Sequence, residues 1–244
     1  MTEKRKNFSE KYEENAEFQI NKINRSISLY ADDSEKERLR RRSTMRDRLL
    51  LCQPYALQKF SNIVKKHVVN ALEQDEVYMF TIICETEDVG FDKIDEIKYG
   101  AIKKKIKEYL DGQNYIARTC LDFRVDEYNG NDGMNVSVHI HGLFFDNLSK
   151  RTREKISKKF PRNDPKTRAL VIKDFSDLKS AIQYAFKGPF GGKGRFNRKK
   201  PLTLKMYYQV FSKLKDTHLY DHFFAGGTGK IVLREILKEV KPCD

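Results

Sequence analysis

The stretch Val136-Ser-Val-His-Ile-His-Gly-Leu-Phe-Phe-Asp146 carries the strongest structural signal in this chain of 244 residues. Its first half alternates apolar and polar residues, a pattern typical of a β-strand whose two faces have different surroundings. Because successive side chains of a strand point to opposite faces, the valines and the isoleucine are predicted to line one face. Ser137, His139 and His141 then line the other face, which places two imidazoles side by side.

This pair of imidazoles predicts a metal centre. Neutral imidazole is the commonest protein ligand of divalent metal ions, and a strand holds two of them at a fixed separation. The competing interpretation is coincidence, because so short a motif also arises by chance in a chain with five histidines. The neighbouring sequence has to decide between the two.

A hairpin is predicted to supply a third ligand. Residues 115–126 read as a strand, and the turn cluster Asn129-Gly-Asn-Asp-Gly133 connects it to the histidine strand. A two-residue turn would place Asp126 opposite His139, whereas one extra residue or a bulge would place Glu127 there. Two imidazoles and a carboxylate suit manganese or magnesium, and they also allow zinc.

The other elements of the core follow from the spacing of apolar residues. Residues 77–84 are almost continuously apolar, which is typical of a central strand covered on both faces. A further strand is predicted over residues 167–175. Helices are predicted over residues 92–110 and 147–159, from Ser176 onward, and over 231–240. These elements predict an α/β (α+β) domain over residues 76–244.

Residues 1–75 are predicted to be a basic, helical and partly disordered extension. Residues 1 to about 33 have few apolar anchors, so we expect a mobile arm. A helix dense in arginine is predicted from Ser34 to Leu51, where a Ser-x-x-Glu capping box opens it. A second helix is predicted after Pro54, up to about Glu73.

Composition indicates a polyanionic partner. The formal net charge is +13 and the pI is near 9.4, and Lys or Arg that neutralises phosphates releases counterions. Charge alone does not separate nucleic acid from an anionic membrane surface, but no apolar run reaches the roughly 20 residues of a membrane helix. The four cysteines lack Cys-x-x-Cys spacing, which predicts reduced thiols and a cytoplasmic protein.

The helix predicted after Ser176 carries Tyr184 and Lys187 on nearly the same face, three residues apart. The glycine-rich segment that follows combines aromatic and basic residues. We expect it to bind single-stranded DNA rather than to be only a charged loop, through Lys193, Arg195, Arg198, Lys199 and Lys200. The sequence Gly226-Gly-Thr-Gly-Lys230 lacks the first glycine and the final Ser or Thr of a phosphate loop, so no nucleotide site is predicted there.

Taken in order, Phe80-Thr-Ile-Ile, His139-Ile-His141 and Tyr184-Ala-Phe-Lys187 resemble the three motifs of the HUH endonuclease superfamily. Its members include rolling-circle replication initiators (Rep proteins) of plasmids and phages, and related single-strand transposases. Glu127-Tyr128 before a glycine-containing turn is also similar to the acidic ligand region of phage-type initiators. The resemblance covers residues 76–190, and a lone tyrosine on its helix favours the single-tyrosine type.

The resemblance implies a ferredoxin-like or RRM-like antiparallel sheet, flanked by helices, with the histidine strand and the tyrosine helix adjacent. It implies that His139, His141 and Glu127 bind a divalent ion, with Asp126 as the alternative carboxylate. Tyr184 would be the catalytic nucleophile that forms a 5′-phosphotyrosine, and Lys187 would assist it.

The function implied is nicking and joining of single-stranded DNA or of an origin hairpin, which initiates rolling-circle replication. A host helicase and a host polymerase would be partners, and no membrane is involved. Two alternatives stay open at this point. One is a non-catalytic, basic nucleic-acid-binding protein, and the other is a single-strand transposase of the same superfamily.

Overall fold

The computed structural model places the histidine stretch at the centre of a six-stranded sheet. The residues that it describes are 8–44, 50–71, 77–125, 133–146, 148–158, 170–175, 181–182, 185, 192–193 and 202–240. The strands are β1 (Val77–Gly90), β2 (Tyr115–Val125), β3 (Met134–Phe144), β4 (Leu170–Phe175), β5 (Gly192–Lys193) and β6 (Phe223–Gly226).

The sheet has the strand order β4-β1-β3-β2-β5. β6 also pairs with β2, at residues 115–118, whereas β5 pairs with β2 at residues 123 and 124. All pairings are antiparallel except the short parallel contact between β2 and β5. β3, the histidine strand, pairs with β1 on one side and with β2 on the other along almost its whole length. The predicted α+β fold with a central antiparallel sheet flanked by helices is thus confirmed in its general form.

The helices lie before, between and after these strands. They are α1 (Phe8–Tyr30), α2 (Asp33–Thr44), α3 (Pro54–Ala71), α4 (Tyr99–Tyr109), α5 (Lys150–Lys158), α6 (Leu204–Leu214) and α7 (Gly229–Val240). Two 3₁₀ helices cover Phe91–Glu96 and Leu219–His222, and residues 181, 182 and 185 are also helical. None of the described helices is both long and apolar enough to cross a bilayer.

One face of the sheet is an aromatic core. The rings of Phe80 and Phe144 lie 4.6 Å apart between centroids, and Tyr115 meets Phe80 edge to face at 6.0 Å. Gly142 follows the histidine pair because this core leaves no room for a side chain. A Cβ on Gly142 would lie 2.4 Å from Cζ of Phe80.

The N-terminal region differs from the predicted mobile arm, because Phe8–Tyr30 is a helix of 23 residues. The prediction was wrong because it overlooked a stripe of small and branched apolar residues at spacings of three and four, which is the pattern of a buried helix face. The buried members of this stripe are Ala16, Ile20, Ile23, Ile27 and Ala31. α1 packs against α6, a helix that the sequence analysis did not predict.

The N-terminal helices pack on the sheet and on the C-terminal helices. The ring of Phe60 on α3 lies 4.4 Å from that of Phe223 on β6. Glu239 on α7 accepts hydrogen bonds from Lys66 and His67 on α3, at 2.6 and 2.9 Å. One buried apolar cluster runs through both regions. The division of the chain into a unit of residues 1–75 and a unit of residues 76–244 stays a prediction.

Several element boundaries also differ from the predictions. β1 continues to Gly90 through an irregularity between Cys84 and Val89, and the helix predicted over residues 92–110 is interrupted at Ile97. Ile97 adopts an extended backbone with ψ of 114°, and both it and Ile94 are buried at this junction. The helix predicted to continue to Leu51 ends at Thr44, and Leu50 instead forms a bridge with His218.

The glycine-rich turn between β6 and α7 is a packing junction. Gly227 has a φ of +51°, and the Thr228 amide donates a hydrogen bond of 2.9 Å to the Asn114 side chain. A Cβ on Gly229 would lie 1.9 Å from the carbonyl oxygen of Tyr115. The glycines of this turn are explained by close approach of two backbones.

We predict that Gly229→Ala lowers the free energy of unfolding by about 1–3 kcal/mol or more, because the new methyl group overlaps the Tyr115 carbonyl. Gly100→Ala is the matched control, since that glycine is exposed on α4 and has no atom within 4 Å of the added Cβ. This control should be neutral or slightly stabilising. Urea denaturation measures both, and equal stability of the two variants would contradict this account of the turn.

Candidate functional site

Opposite the aromatic core, the sheet has a polar face that we call the histidine face. On β3 it carries Ser137, His139 and His141. The side chains that pair with them across the sheet point the same way. Ile83 on β1 lies opposite His139, and the other neighbours are Thr81 on β1, opposite His141, and Arg118, Cys120 and Asp122 on β2, opposite His141, His139 and Ser137. The name histidine face covers the latter four together with the three side chains of β3.

Except for half-buried Thr81, every member of the histidine face is buried. His139 retains 7% of its accessible surface and His141 retains 1%. Burial of a polar group costs free energy unless a hydrogen bond compensates it, so the hydrogen bonds within this face contribute to its stability. The histidine strand is therefore held by side chains as well as by its backbone ladder.

The hydrogen bonds of the two imidazoles fix their orientation. Nδ1 of His141 lies 2.9 Å from the Thr81 hydroxyl, and Nε2 of His139 lies 3.0 Å from the Ser137 hydroxyl. The ring centroids are 6.2 Å apart, with the planes inclined by 39°. A histidine that donates from Nδ1 carries its lone pair on Nε2, so Thr81 can set the tautomer of His141 that binds metals.

The hairpin register differs from the one predicted. Cys120, not Asp126 or Glu127, lies opposite His139, and the last described pair of the hairpin is Val125 with Met134. The prediction was wrong because it assumed a two-residue turn at Asp132-Gly133, whereas the described pairs, from Tyr115 with Phe144 to Val125 with Met134, follow a different register. Asp126 and Glu127 lie outside the described residues, so the ligand role of Glu127 stays a prediction without its register argument.

Asp122 is the carboxylate that this register brings to the histidine face. Its Oδ2 lies 3.8 Å from Nε2 of His139, and the side chain is 5% exposed. Asp122 was not among the predicted ligands. Its signal was the alternation of β2, which gives Asp122 the same parity as the predicted Asp126 and therefore the same face.

The helical residues after β4 pack on the histidine face. The carbonyl oxygen of Ala185 lies 3.7 Å from Sγ of Cys120, the residue opposite His139. Ala181, Ile182 and Ala185 are all buried. Tyr184 and Lys187 lie outside the described residues, but Ala185, which follows Tyr184 in the chain, lies next to the strand that pairs with the histidines.

The predicted basic DNA-binding segment is described only at its beginning. The backbone of Lys193 pairs with Arg124 of β2, in the parallel contact that forms β5. β5 therefore extends the sheet on the β2 side, on the same edge as β6. Arg195, Arg198, Lys199 and Lys200 lie outside the described residues.

The donor types on the histidine face fit a divalent ion only in part. Two imidazoles and the Asp122 carboxylate are nitrogen and oxygen donors of the kind that manganese, magnesium or zinc accepts. Within the described part of the chain, however, no group of three His, Cys, Asp or Glu side chains is arranged to hold a metal. Glu127, the predicted third ligand, lies in the part of the chain that is not described.

His218 and His222, outside the histidine face, pack against aromatic rings. His218 stacks on Tyr220 at 4.9 Å, and buried His222 meets Tyr99 edge to face at 4.8 Å. Burial, reinforced by the positive charges of Arg118 and Lys103, lowers the pKa of His222 to about 3. The cysteines at 52, 84 and 120 are not disulfide-bonded, and Cys243 lies outside the described residues.

No family model matches the chain, and no curated protein or solved structure is significantly similar to it.

We predict that acid destabilises the protein through His222. Its pKa is about 3 in the folded protein and about 6.5 in the unfolded chain. Between these values only the unfolded state binds the proton. The free energy of unfolding should therefore fall by about 2 kcal/mol between pH 7 and pH 5 from this group alone.

Urea denaturation of His222→Phe at both pH values checks this prediction, since phenylalanine keeps a ring beside Tyr99 but does not titrate. The difference between the two pH values should shrink by about 2 kcal/mol relative to the parent protein. His218→Gln controls for the loss of one imidazole. An unchanged pH dependence in His222→Phe would contradict the assignment.

Proposed function

We propose that this protein nicks and rejoins single-stranded DNA through a 5′-phosphotyrosine, as a single-tyrosine initiator of rolling-circle replication of the HUH type. One observation carries the proposal. The two imidazoles of the central strand share a buried polar face with Cys120, and Ala185, the residue after Tyr184, packs against that cysteine. A phenol next to paired imidazoles is the arrangement that this chemistry requires.

The topology is compatible with the proposed fold family. Strands β1 to β4 follow one another with α4 between β1 and β2 and with α5 between β3 and β4. Their order in the sheet is β4-β1-β3-β2, which is the split βαβ arrangement of ferredoxin-like folds. Arg153 on α5 lies over the ring of Tyr78, a residue of the aromatic face, so α5 covers the side away from the histidines.

In this proposal His139 and His141 hold a divalent ion, manganese or magnesium, with zinc as a further possibility. Glu127 is the third ligand by resemblance, and Asp126 is the alternative. Asp122 is a third candidate because of its distance from His139. When bound, such an ion polarises the scissile phosphate and neutralises its charge.

The residues of the chain then carry out the displacement. The Tyr184 oxygen attacks the phosphorus, the bond between phosphorus and the 3′ oxygen breaks, and the phenol proton is lost as that oxygen takes up a proton. The products are a 5′-phosphotyrosine and a free 3′-hydroxyl that primes synthesis. Because the new phosphodiester conserves the bond energy, a 3′-hydroxyl can attack it and rejoin the strand. Lys187 favours the phenolate and offsets negative charge in the transition state.

The substrate is single-stranded DNA or an origin hairpin. The net charge of +13 supports a phosphate-rich partner. The basic segment from Lys193 to Lys200 contacts the strand near Tyr184, and a host helicase or supercoiling opens the duplex for a host polymerase. A single-strand transposase would use the same chemistry and would differ by joining the ends of a mobile element.

A non-catalytic nucleic-acid-binding protein is the second candidate. It is favoured by the burial of both imidazoles and by their hydrogen bonds to Thr81 and Ser137. Histidines that only tie neighbouring strands together would have these same features. The candidates differ in whether a covalent adduct forms.

We predict that Tyr184→Phe abolishes both cleavage and the covalent adduct while DNA binding persists, because only the nucleophilic oxygen is removed. The measurement is denaturing electrophoresis after incubation with a pool of single-stranded oligonucleotides and manganese. Tyr208→Phe on α6 is the matched control and should retain cleavage. An adduct of normal yield in Tyr184→Phe would identify another nucleophile.

We also predict that cleavage depends on the two imidazoles and on a divalent ion. A chelator should stop nicking, manganese or magnesium should restore it, and His139→Ala should lower the rate by at least about 100-fold. His141→Gln tests the second ligand with less loss of volume. His67→Ala, which removes a histidine on the surface of α3, is the control. Nicking by folded His139→Ala at the parent rate would refute the ligand assignment.

A further inference from the structure

A groove with a basic rim lies along the edge of the sheet formed by β6, where α4 and α7 flank the strand. Its volume is about 680 Å³, and its floor is formed by the buried residues 223–225 together with half-buried leucines of α7. The cationic side chains that line it are Lys103 and Lys107 from α4 and Lys230, Arg234 and Lys238 from α7. We call it the β6 groove.

Helical geometry produces the rim. Lys103 and Lys107 are four residues apart, as are the three cations of α7, so each set forms a row on one face of its helix. Successive members of a row lie about 6 Å apart along the helix axis. Two rows of positive charge thus face each other across the strand edge, which is the form of a track for a chain of negative charges.

Most of this charge is not neutralised within the protein. Lys238 pairs with Glu235 on the surface, and Lys103 donates a hydrogen bond to the Asp221 carbonyl. Lys107, Lys230 and Arg234 have no ion pair with any described residue. Burial, with Lys107 as a further like charge, lowers the pKa of Lys103, although Asp221 acts in the opposite direction. A polyanion in the groove would relieve this repulsion.

No acidic residue of α4 or α7 is among the side chains that line the groove. Glu239 is held by Lys66 and His67 of α3, on the other side of the helix. Glu108 and Asp111 do not line the groove; they line a neighbouring depression, to which Lys103 and Lys107 also contribute. The inner rim is therefore cationic on both sides, and its chemistry selects for phosphates or for carboxylates in a row.

The strand edge distinguishes between these two ligands. β6 pairs with β2 on one side, and no described strand pairs with its other side, so its outer backbone groups face the groove. An acidic peptide would bind such an edge by adding a strand. The edge covers only Phe223–Gly226 before the turn at Gly227, so an added strand would gain few backbone hydrogen bonds from it. Phosphates need only single amide and cation contacts.

We propose that the β6 groove binds the phosphodiester backbone of DNA, as a contact separate from the histidine face. Arg118 of β2 pairs with Phe223 of the groove on one side and with His141 on the other. Because neighbouring strands lie about 4.8 Å apart, β6 is about 10 Å from the histidine strand. A single strand of DNA is long enough to occupy both places. The binding does not depend on the proposed function, but a role in holding the strand for cleavage does.

The test uses the full chain with the charge reversals Lys107→Glu and Arg234→Glu combined, since both side chains are exposed and lie on opposite rims. The matched control combines Arg151→Glu and Lys155→Glu, which are exposed on α5, four residues apart, and change the net charge equally. Fluorescence anisotropy with a labelled single-stranded oligonucleotide of about 30 nucleotides gives the affinity at several salt concentrations, with chelator present so that no cleavage occurs.

The groove variant should bind at least about tenfold more weakly, and the slope of log affinity against log salt should fall by about 1.4, since each lost phosphate contact contributes about 0.7. The control should lose less than about threefold. Equal losses in both variants, or none, would overturn the proposal, as would preferential binding of a poly-glutamate peptide in competition. Lys107→Gln with Arg234→Gln should give an intermediate loss, which guards against misfolding of the charge-reversed protein.

Cleavage separates this proposal from the proposed function. The groove variant should still nick a short oligonucleotide that reaches only the histidine face, and it should nick the long one more slowly. If Tyr184 proves not to be the nucleophile, the binding difference between groove and control variants still stands. If the groove variant binds DNA as tightly as the parent protein, the groove proposal fails, but the assignment of Tyr184 as the nucleophile is not affected.

Discussion

The register of β3 between its two neighbours is the constraint on which the rest of the structure depends. With His139 opposite Cys120 and His141 opposite Thr81 and Arg118, every polar group of the central strand faces one side. A shift of one residue would drive the imidazoles into the aromatic core around Phe80. The aromatic core and Gly142 exclude that shift, since no side chain fits at the position of Gly142.

Burial of this polar face has a chemical consequence. Thr81 and Ser137 each form a hydrogen bond with one imidazole, and the Asp122 carboxylate lies 3.8 Å from His139. Fixed orientation is what a metal-binding or catalytic pair requires. Two histidines with a purely structural role would need the same hydrogen bonds. Metal binding and cleavage therefore have to be measured directly.

The alternation of β3 could be read from the sequence because a strand with two different faces leaves a period of two in its residues. The hairpin register could not, since it depends on the length of the turn, and a turn cluster with several glycines and asparagines allows many lengths. Asp122 was missed for this reason. The helix of residues 8–30 was missed for another: its apolar stripe consists of widely spaced residues in a charged segment, and its partner α6 was not predicted.

The central claim is that the chain around Tyr184 and the two imidazoles share one face of the sheet. Paramagnetic broadening by bound manganese tests it most directly, with the tyrosine and histidine rings labelled with ¹³C and the signals assigned from Tyr184→Phe, His139→Ala and His141→Gln. The account predicts that manganese broadens the ring signals of His139, His141 and Tyr184 together, while those of Tyr30 on α1 stay sharp. A sharp Tyr184 signal beside broadened histidines, or histidines that manganese does not affect, would contradict it.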